Sequence, residues 1–281
     1  EGWLYAGETV QVVGLRLGDD LRAAESQVVV PNLPEGGAHV TRTVLLDESV
    51  ARRLSTDTRP LLVGSPDGWQ DFYLEDGSFR DEFGVLWRRA GDGHYAPLGN
   101  PLRDAGLGEL ATYPWPDPRN PGRIRGLREQ ARRLHEQGEY AVVLSMPVGF
   151  VHLSQYLRGY EQWLMDIVLN PRFLDALMDA ALEWWLALCE AVLDEAGPYV
   201  DVVAMADDVA FHDRPMVDLA RYRRLFKPRH ARMVGCIKER SGARVLYHCC
   251  GAVRGLVADL IDMGVDALNP VQVSSAGMDT A

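Results

Sequence analysis

The densest group of chemically capable residues is Tyr247-His248-Cys249-Cys250-Gly251, which follows an apolar run that reads as a β-strand. Side chains alternate along a strand, so His248 and Cys250 point one way and Cys249 the other. Imidazole and thiolate are the usual zinc ligands, and a His-x-Cys pair offers one of each from a single rigid element. Zinc needs at least a third ligand, and a catalytic site leaves a further position open for substrate. No third ligand stands out nearby. The competing reading is packing: free cysteines are commonly small buried hydrophobes, and His248 would then be a hydrogen-bonded core residue.

A second group, Ala206-Asp207-Asp208-Val209-Ala210-Phe211-His212, also lies just past a strand. Adjacent carboxylates are costly to bury unpaired. They suit a cation, a histidine to be oriented or a cationic substrate, and their mutual repulsion raises one pKa, which makes an acid available. Asp207 and Asp208 are therefore the candidate catalytic residues, against the alternative that they cap the following turn. His212, four residues beyond Asp208, is a candidate substrate-binding residue, against the alternative of a solvated loop histidine. Asn269 and Gln272 flank Pro270 at a third strand end and join it as polar pocket lining, unless they serve only the turn. Met146-Pro147-Val148-Gly149-Phe150-Val151-His152 shapes a β-to-α loop whose backbone lines the same pocket. Arg158, Tyr160 and Glu161 read as helix surface and packing, and Tyr156, Trp163, Trp184 and Trp185 as packing.

These groups need a scaffold that brings strand ends together. From about residue 123 the pattern is regular. A helix is expected over 123–137, closed by Gly138, then a strand over 140–146, closed by Pro147. Helices follow over 153–169 and 171–195, separated by Asn170-Pro171. The remaining elements are a strand over 200–206, a helix over 217–240 opened by Asp218, a strand over 243–248, a helix over 252–263 and a strand over 265–269. Apolar strands alternating with helices indicate a parallel sheet with helical crossovers. Before this part, Arg59–Gly64 reads as a short strand. Residues 67–122, rich in Gly, Pro and aromatics, read as hairpins or an irregular lid. The prolines of Tyr113–Pro118 exclude helix interior there. The whole is read as one domain, with an irregular N-terminal part over 1–122 and regular β/α units over 123–281.

With 281 residues, 47% hydrophobic and 25% charged, the chain can bury a sizeable core, which excludes disordered, fibrous and disulfide-miniprotein classes. No apolar run is long enough for a transmembrane span. The net charge of −11 argues against general nucleic-acid binding. Only Lys227 and Lys238 are lysines, the rest of the 29 basic residues being arginine, a bias attributed to genome composition. The four cysteines do not form a secretory disulfide pattern. Glu1 opens the chain with neither Met nor a basic n-region, so the natural N-terminus is expected to lie upstream and the compartment to be a reducing cytoplasm. No phosphate-binding loop, dinucleotide fingerprint or nucleophile elbow occurs.

In order along the chain, Asp207-Asp208, Tyr222, Phe226-Lys227-Pro228-Arg229, His248-x-Cys250-Gly251 and Gly264–Gln272 resemble the uroporphyrinogen decarboxylase superfamily, and within it the cobalamin-dependent methyltransferase-like branch. Asp81–Trp87, Arg158-Gly159-Tyr160-Glu161 and Asn170-Pro171 add to a resemblance that covers about residues 75–280. It implies a (β/α)8 TIM-type barrel with its site at the C-terminal mouth, here stopping before the barrel closes. It implies zinc held by His248 and Cys250, with a third cysteine ligand beyond Ala281. It also implies a small-molecule substrate and a corrinoid carried on a partner protein. The branch often carries a glutamine where His212 stands. The activity implied is methyl transfer between the corrinoid and a thiol or folate-type acceptor. The runner-up is metal-independent decarboxylation of a porphyrinogen-like acidic substrate, whose enzymes lack the His-x-Cys-Gly element. A third reading is a non-catalytic barrel that binds a corrinoid or regulates a partner.

Overall fold

A computed structural model of the chain describes residues 57–69, 72–74, 76–89 and 95–279, together with the backbone of three N-terminal strands. Those strands, β1 (Trp3–Glu8), β2 (Gln11–Leu17) and β3 (Ala23–Val30), form an antiparallel sheet in sequence order. The run Val28–Val30 lies in β3, whereas Pro31 and Pro34, which follow it in the sequence, fall outside the described residues. Then come β4 (Thr58–Leu62), β5 (Phe72–Tyr73), β6 (Phe79–Arg80), β7 (Leu86–Arg89), β8 (Tyr95–Gly99) and the short α1 (Leu107–Ala111). The regular part comprises α2 (Leu127–Glu136), β9 (Ala141–Val148), α3 (Phe150–Arg158), α4 (Tyr160–Leu169) and α5 (Pro171–Ala196). It continues with β10 (Val202–Ala206), α6 (Leu219–Leu225), α7 (Lys227–Arg240), β11 (Arg244–His248), α8 (Val257–Asp262) and β12 (Ala267–Asn269).

Five of these strands pair in parallel in the order β12-β11-β10-β9-β4. The α/β architecture expected from the alternation is therefore present, with five parallel strands among the described residues and β4 and β12 at the edges. Register aligns their carboxyl ends: Ala206 lies beside His248 and Val148, and His248 beside Asn269. Alternation then sorts side chains into two layers. Val203, Met205, Val245 and Tyr247 point to the helix-covered face and are buried, while Ala204, Ala206, Leu246 and His248 occupy the opposite, half-buried face. The long helix α5 covers the first face. Its Leu174, Met178, Ala181, Trp185, Cys189 and Val192 recur at three- and four-residue spacing, and all are buried.

The helices expected over 123–137 and 252–263 begin later than expected, at Leu127 and Val257, and three further differences have a clear local cause. Pro147 does not close its strand; β9 runs through it to Val148, and the pairing with β10 shifts register there. Three residues of β9 pass while two of β10 do, and such a bulge accommodates a residue that cannot donate to the ladder. The helix expected over 153–169 starts at Phe150 and is divided by Gly159, whose φ of 85° no helix allows. The helix expected over 217–240 is divided at Phe226, one residue before Lys227-Pro228 opens α7.

The described residues of the aromatic-rich segment form regular structure. Strands β5 to β8 form a meandering antiparallel sheet. Its turn is built by Asp81, which accepts from the N–H groups of Phe83 and Val85 and from Trp87 Nε1. Burial raises the Asp81 pKa even against those donors. Glu82 pairs with the buried Arg123, Phe83 packs edge-on against Trp184 at 4.8 Å, and Trp87 packs edge-on against Tyr156 at the same centroid distance. Asn100 adds a hydrogen bond to the Tyr156 carbonyl, at 2.7 Å. This sheet is thus fastened to α3, the helix that enters the site. Arg158, at the end of α3, is not helix surface. It is 4% exposed, pairs with buried Asp166 at 2.6 Å, and donates to the carbonyls of Leu102 and Ala105.

Candidate active site

The polar groups gather beyond the carboxyl ends of β9, β10, β11 and β12, where parallel α/β sheets offer a crevice. Alternation separates the two adjacent aspartates. Asp207 continues the buried face of β10 and Asp208 the half-buried one.

Asp208, His248 and Cys250 each present one donor atom, and the three atoms lie within 4.8 Å of one another. Cys250 Sγ is 3.4 Å from His248 Nε2, and the nearer Asp208 oxygen is 4.0 Å from that nitrogen. His248 Nδ1 faces Asn269 Oδ1 at 2.8 Å, which assigns the imidazole proton to Nδ1 and leaves the Nε2 lone pair pointing at the cluster. Asp208 Oδ1 accepts from the Cys250 N–H at 2.7 Å, so the carboxylate is braced by the same loop that carries the thiol. Burial, then the neighbouring Asp208 charge, pushes the Cys250 thiol up to about 11. A cation among these donors reverses that balance, because a coordinating thiol is deprotonated outright. Carboxylate oxygen, imidazole nitrogen and thiolate sulfur are the donor types zinc takes, so the residues present fit zinc. Sequence spacing finds the His-Cys pair but not its third donor, because Asp208 lies 42 residues before Cys250 on another strand end.

Behind this cluster lies a wholly buried layer. Asp207 is fully enclosed and accepts from the N–H groups of Val151 (3.1 Å) and His152 (2.9 Å). It caps the start of α3, the helix of the preceding β/α unit, rather than the turn that follows it in sequence. Its Oδ2 also takes His230 Nε2 at 3.1 Å, and Tyr247 Oη lies 3.3 Å from that nitrogen while donating to the Asp207 carbonyl. Burial alone would raise the Asp207 pKa, but hydrogen bonds and charge from His152 and His230 hold it below the usual carboxylate range. Gly149 makes the cap possible: a Cβ there would stand 2.3 Å from Asp207 Oδ2.

His152 joins the layers. Its Nδ1 is 3.4 Å from Asp207, its Nε2 is 3.7 Å from Asp208, and its ring stacks on Tyr156. Burial lowers its pKa, but the two carboxylates outweigh that and hold it at about 9. Asp208 is lowered in return: burial opposes ionisation, and His152, the Cys250 N–H and His248 more than offset it. Burial, then the charges of Asp207 and Asp208, pushes the Tyr156 phenol up to about 12.

The remaining candidates sit further out. Gln272 Oε1 accepts from the Gly251 N–H at 2.7 Å, fixing the loop after Cys250. Gly251 has φ +98°, and a Cβ there would meet the Phe211 carbonyl at 2.5 Å. His212 is exposed and meets Ser275 Oγ at 3.3 Å, while its carbonyl takes the Ala276 N–H, so it holds the segment after β12. Cys249 is buried on the opposite side from Cys250, its sulfur accepting from the Val209 N–H. Sequence reasoning did not single out His152, His230 and Tyr247 as site residues. The available signal was a histidine, His230, standing within the apolar stripe Phe226, Met233, Val234 and Ile237 of α7 and its approach.

An α/β fold whose parallel strand ends carry carboxylate, imidazole and thiol donors defines the general class. The chain belongs to the Uroporphyrinogen decarboxylase (URO-D) family, whose pattern it matches over residues 90–272. The superfamily resemblance drawn from its motifs therefore holds. Among solved structures it is similar to a methyltransferase from Methanosarcina mazei, with 22% identity and a TM-score of 0.47, over 66% of this chain and 52% of that one. It is also similar to morphinone reductase in complex with tetrahydroNAD, with 16% identity and a TM-score of 0.23, over 73% of this chain and 56% of that one. The chain spans about half the length of these solved chains. No curated protein matches. No helix among the described residues is long and apolar enough to cross a membrane.

Proposed function

We propose that the chain is a zinc-dependent methyltransferase on a (β/α)8-type barrel, moving a methyl group between a corrinoid carried by a partner protein and a thiol or folate-type acceptor. The observation that carries this reading is the convergence of Asp208, His248 and Cys250 donor atoms within 4.8 Å. These three residues would hold the metal. Its chemistry, when bound, is to lower the pKa of a ligating thiol so that the thiolate, the stronger nucleophile, exists at neutral pH.

The chain's own residues prepare that chemistry. Asn269 keeps the His248 proton on Nδ1, so Nε2 stays a donor to the metal. The Cys250 N–H keeps Asp208 Oδ1 in place, and His152, protonated at neutral pH, balances the charge of Asp207 and Asp208. Asp207 works from behind as a positioning residue, since its oxygens are taken by α3 and His230. Asn269, Gln272 and His212 remain the proposed substrate-side residues, the last two through the loops they brace. The family's decarboxylase chemistry is the alternative, favoured by the family match itself. An acidic substrate needs cationic partners, whereas the ionised groups closest to the cluster are two carboxylates and one histidine.

Elemental analysis beside a His248→Ala variant, followed by an absorbance assay of methylcorrinoid demethylation with thiol and folate acceptors, tests the proposal. Near-stoichiometric zinc that is lost in the variant, with zinc-dependent demethylation, is the expected result. A folded, metal-free protein that decarboxylates a porphyrinogen in the presence of chelator overturns it.

A further inference from the structure

Helices α5 and α7 lie side by side, joined by ion pairs whose residue numbers rise together. Arg229 meets Asp175 (3.1 Å) and Asp179 (2.8 Å), Arg232 meets Glu183 (2.7 Å), and Arg240 meets Glu190 (2.9 Å) and Asp194 (3.2 Å). Between the second and third rungs each helix carries a cysteine, Cys189 on α5 and Cys236 on α7. The register of the ladder sets them opposite each other.

The two thiols differ in access. Cys189 is wholly enclosed. Cys236 forms part of the wall of a groove of about 420 Å3, with Glu190, Arg232, Glu239 and Arg240 around it. Gly235 beside it leaves open space where a side chain would stand. Arg240, one helical turn beyond Cys236 on α7, lines the same groove. A partly reachable thiol beside an arginine is the microenvironment in which cysteines react, and an enclosed neighbour is placed to resolve the product. Cys189 and Arg240 hold the Cys236 thiol below its ordinary value against burial, whereas the same sulfur contact and burial push Cys189 up. Cys236, the thiol that lines the groove, is therefore the one peroxide reaches first, and the enclosed Cys189 is its resolving partner.

We propose that Cys236 and Cys189 form a peroxide-reactive dithiol that closes a disulfide between α5 and α7. With hydrogen peroxide, the Cys236 sulfur bonds to one oxygen as the O–O bond breaks. The departing hydroxide takes the Cys236 proton and leaves as water, and Cys236 becomes a sulfenic acid. The Cys189 sulfur then displaces the sulfenic hydroxyl, which leaves with the Cys189 proton as a second water. Two thiols are oxidised by two electrons, and one peroxide is reduced to two waters. A thiol reductant reverses the change by exchange.

The test uses the reduced full chain and hydrogen peroxide. After exposure, free thiols are alkylated under denaturing conditions and the peptides are mapped by mass. The expected product is a linked pair of peptides carrying Cys189 and Cys236, lighter than their sum by two hydrogens and separated again by dithiothreitol. In Cys189→Ser, Cys236 should stall as a sulfenic acid that dimedone captures. In Arg240→Gln, which alters a partly exposed ion pair on the groove rim, the linkage should form more slowly. The slowing is about threefold for each pH unit by which the arginine lowers the thiol pKa. Both thiols recovered alkylated after peroxide, or Cys236 carried to sulfinic acid with no linked peptide, overturns the proposal. So does a linkage that joins Cys249 or Cys250 instead.

Discussion

Replacing His152 with glutamine should change how the stability of the metal-free protein depends on pH. In the folded chain the His152 pKa is raised from its ordinary 6.5 to about 9, because Asp207 and Asp208 flank its ring and outweigh its burial. Between those values the native state holds a proton that the unfolded chain has released. Stability therefore falls with rising pH. The contribution is fully present below pH 6.5 and lost as pH rises through about 9. The interval from 6.5 to about 9 spans about 2.5 pH units, each worth about 1.4 kcal/mol, so wild type should lose about 3 kcal/mol across it. Urea unfolding at pH 6, 7, 8, 9 and 9.5, followed by far-ultraviolet circular dichroism, measures this. In His152→Gln the alkaline decline should nearly vanish, and the variant should be less stable than wild type at pH 6. Parallel declines in the two proteins would refute the assignment of a charged His152 between the aspartates.

Three further outcomes follow from the geometry. Asn269→Ala leaves the His248 proton unfixed and should weaken zinc binding about tenfold to a hundredfold, read by competition with a chromophoric chelator. Gly149→Ala forces a Cβ against Asp207 Oδ2 and should destabilise the fold by about 2–3 kcal/mol, seen as a lower urea midpoint. Asp166→Ala strands the buried Arg158 charge and should cost about 3–5 kcal/mol. The double variant Arg158→Met with Asp166→Leu should recover much of that loss, as measured by the same unfolding curves.

The His248–Cys250 pair was legible because strand alternation alone predicts that residues two apart share a side, and the thiol and the imidazole nitrogen do lie 3.4 Å apart. The same alternation separates Asp207 from Asp208, a distinction that depends on knowing which face of β10 the helices cover. Residue types near a strand end carry no such information. The third donor and the buried group of His152, His230 and Tyr247 were not legible, because their partners come from three β/α units and meet only when the sheet and its helices assemble. Local chemistry misled at Pro147, where a bulge absorbs the missing donor, and at Arg158, whose partner Asp166 lies two helical turns away across the break at Gly159. His212 and Gln272 were read as pocket lining from their position past strand ends. Their hydrogen bonds are spent on Ser275 and on the Gly251 backbone.

The donor atoms come from neighbouring strand ends rather than from one contiguous loop, and this ties the site to the order in which the chain assembles. Asp208 emerges with β10, the imidazole and thiol only with β11, and the amide that orients the imidazole later still, with β12. A partly synthesised chain that has docked β9 and β10 has the carboxylate but neither of its companions. The proposed cation site would therefore be complete only when β11 settles beside β10 in register. On the proposed zinc reading, ligand binding energy would add to folding energy, and the metal would favour chains in which β11 and β12 have docked in register beside β10.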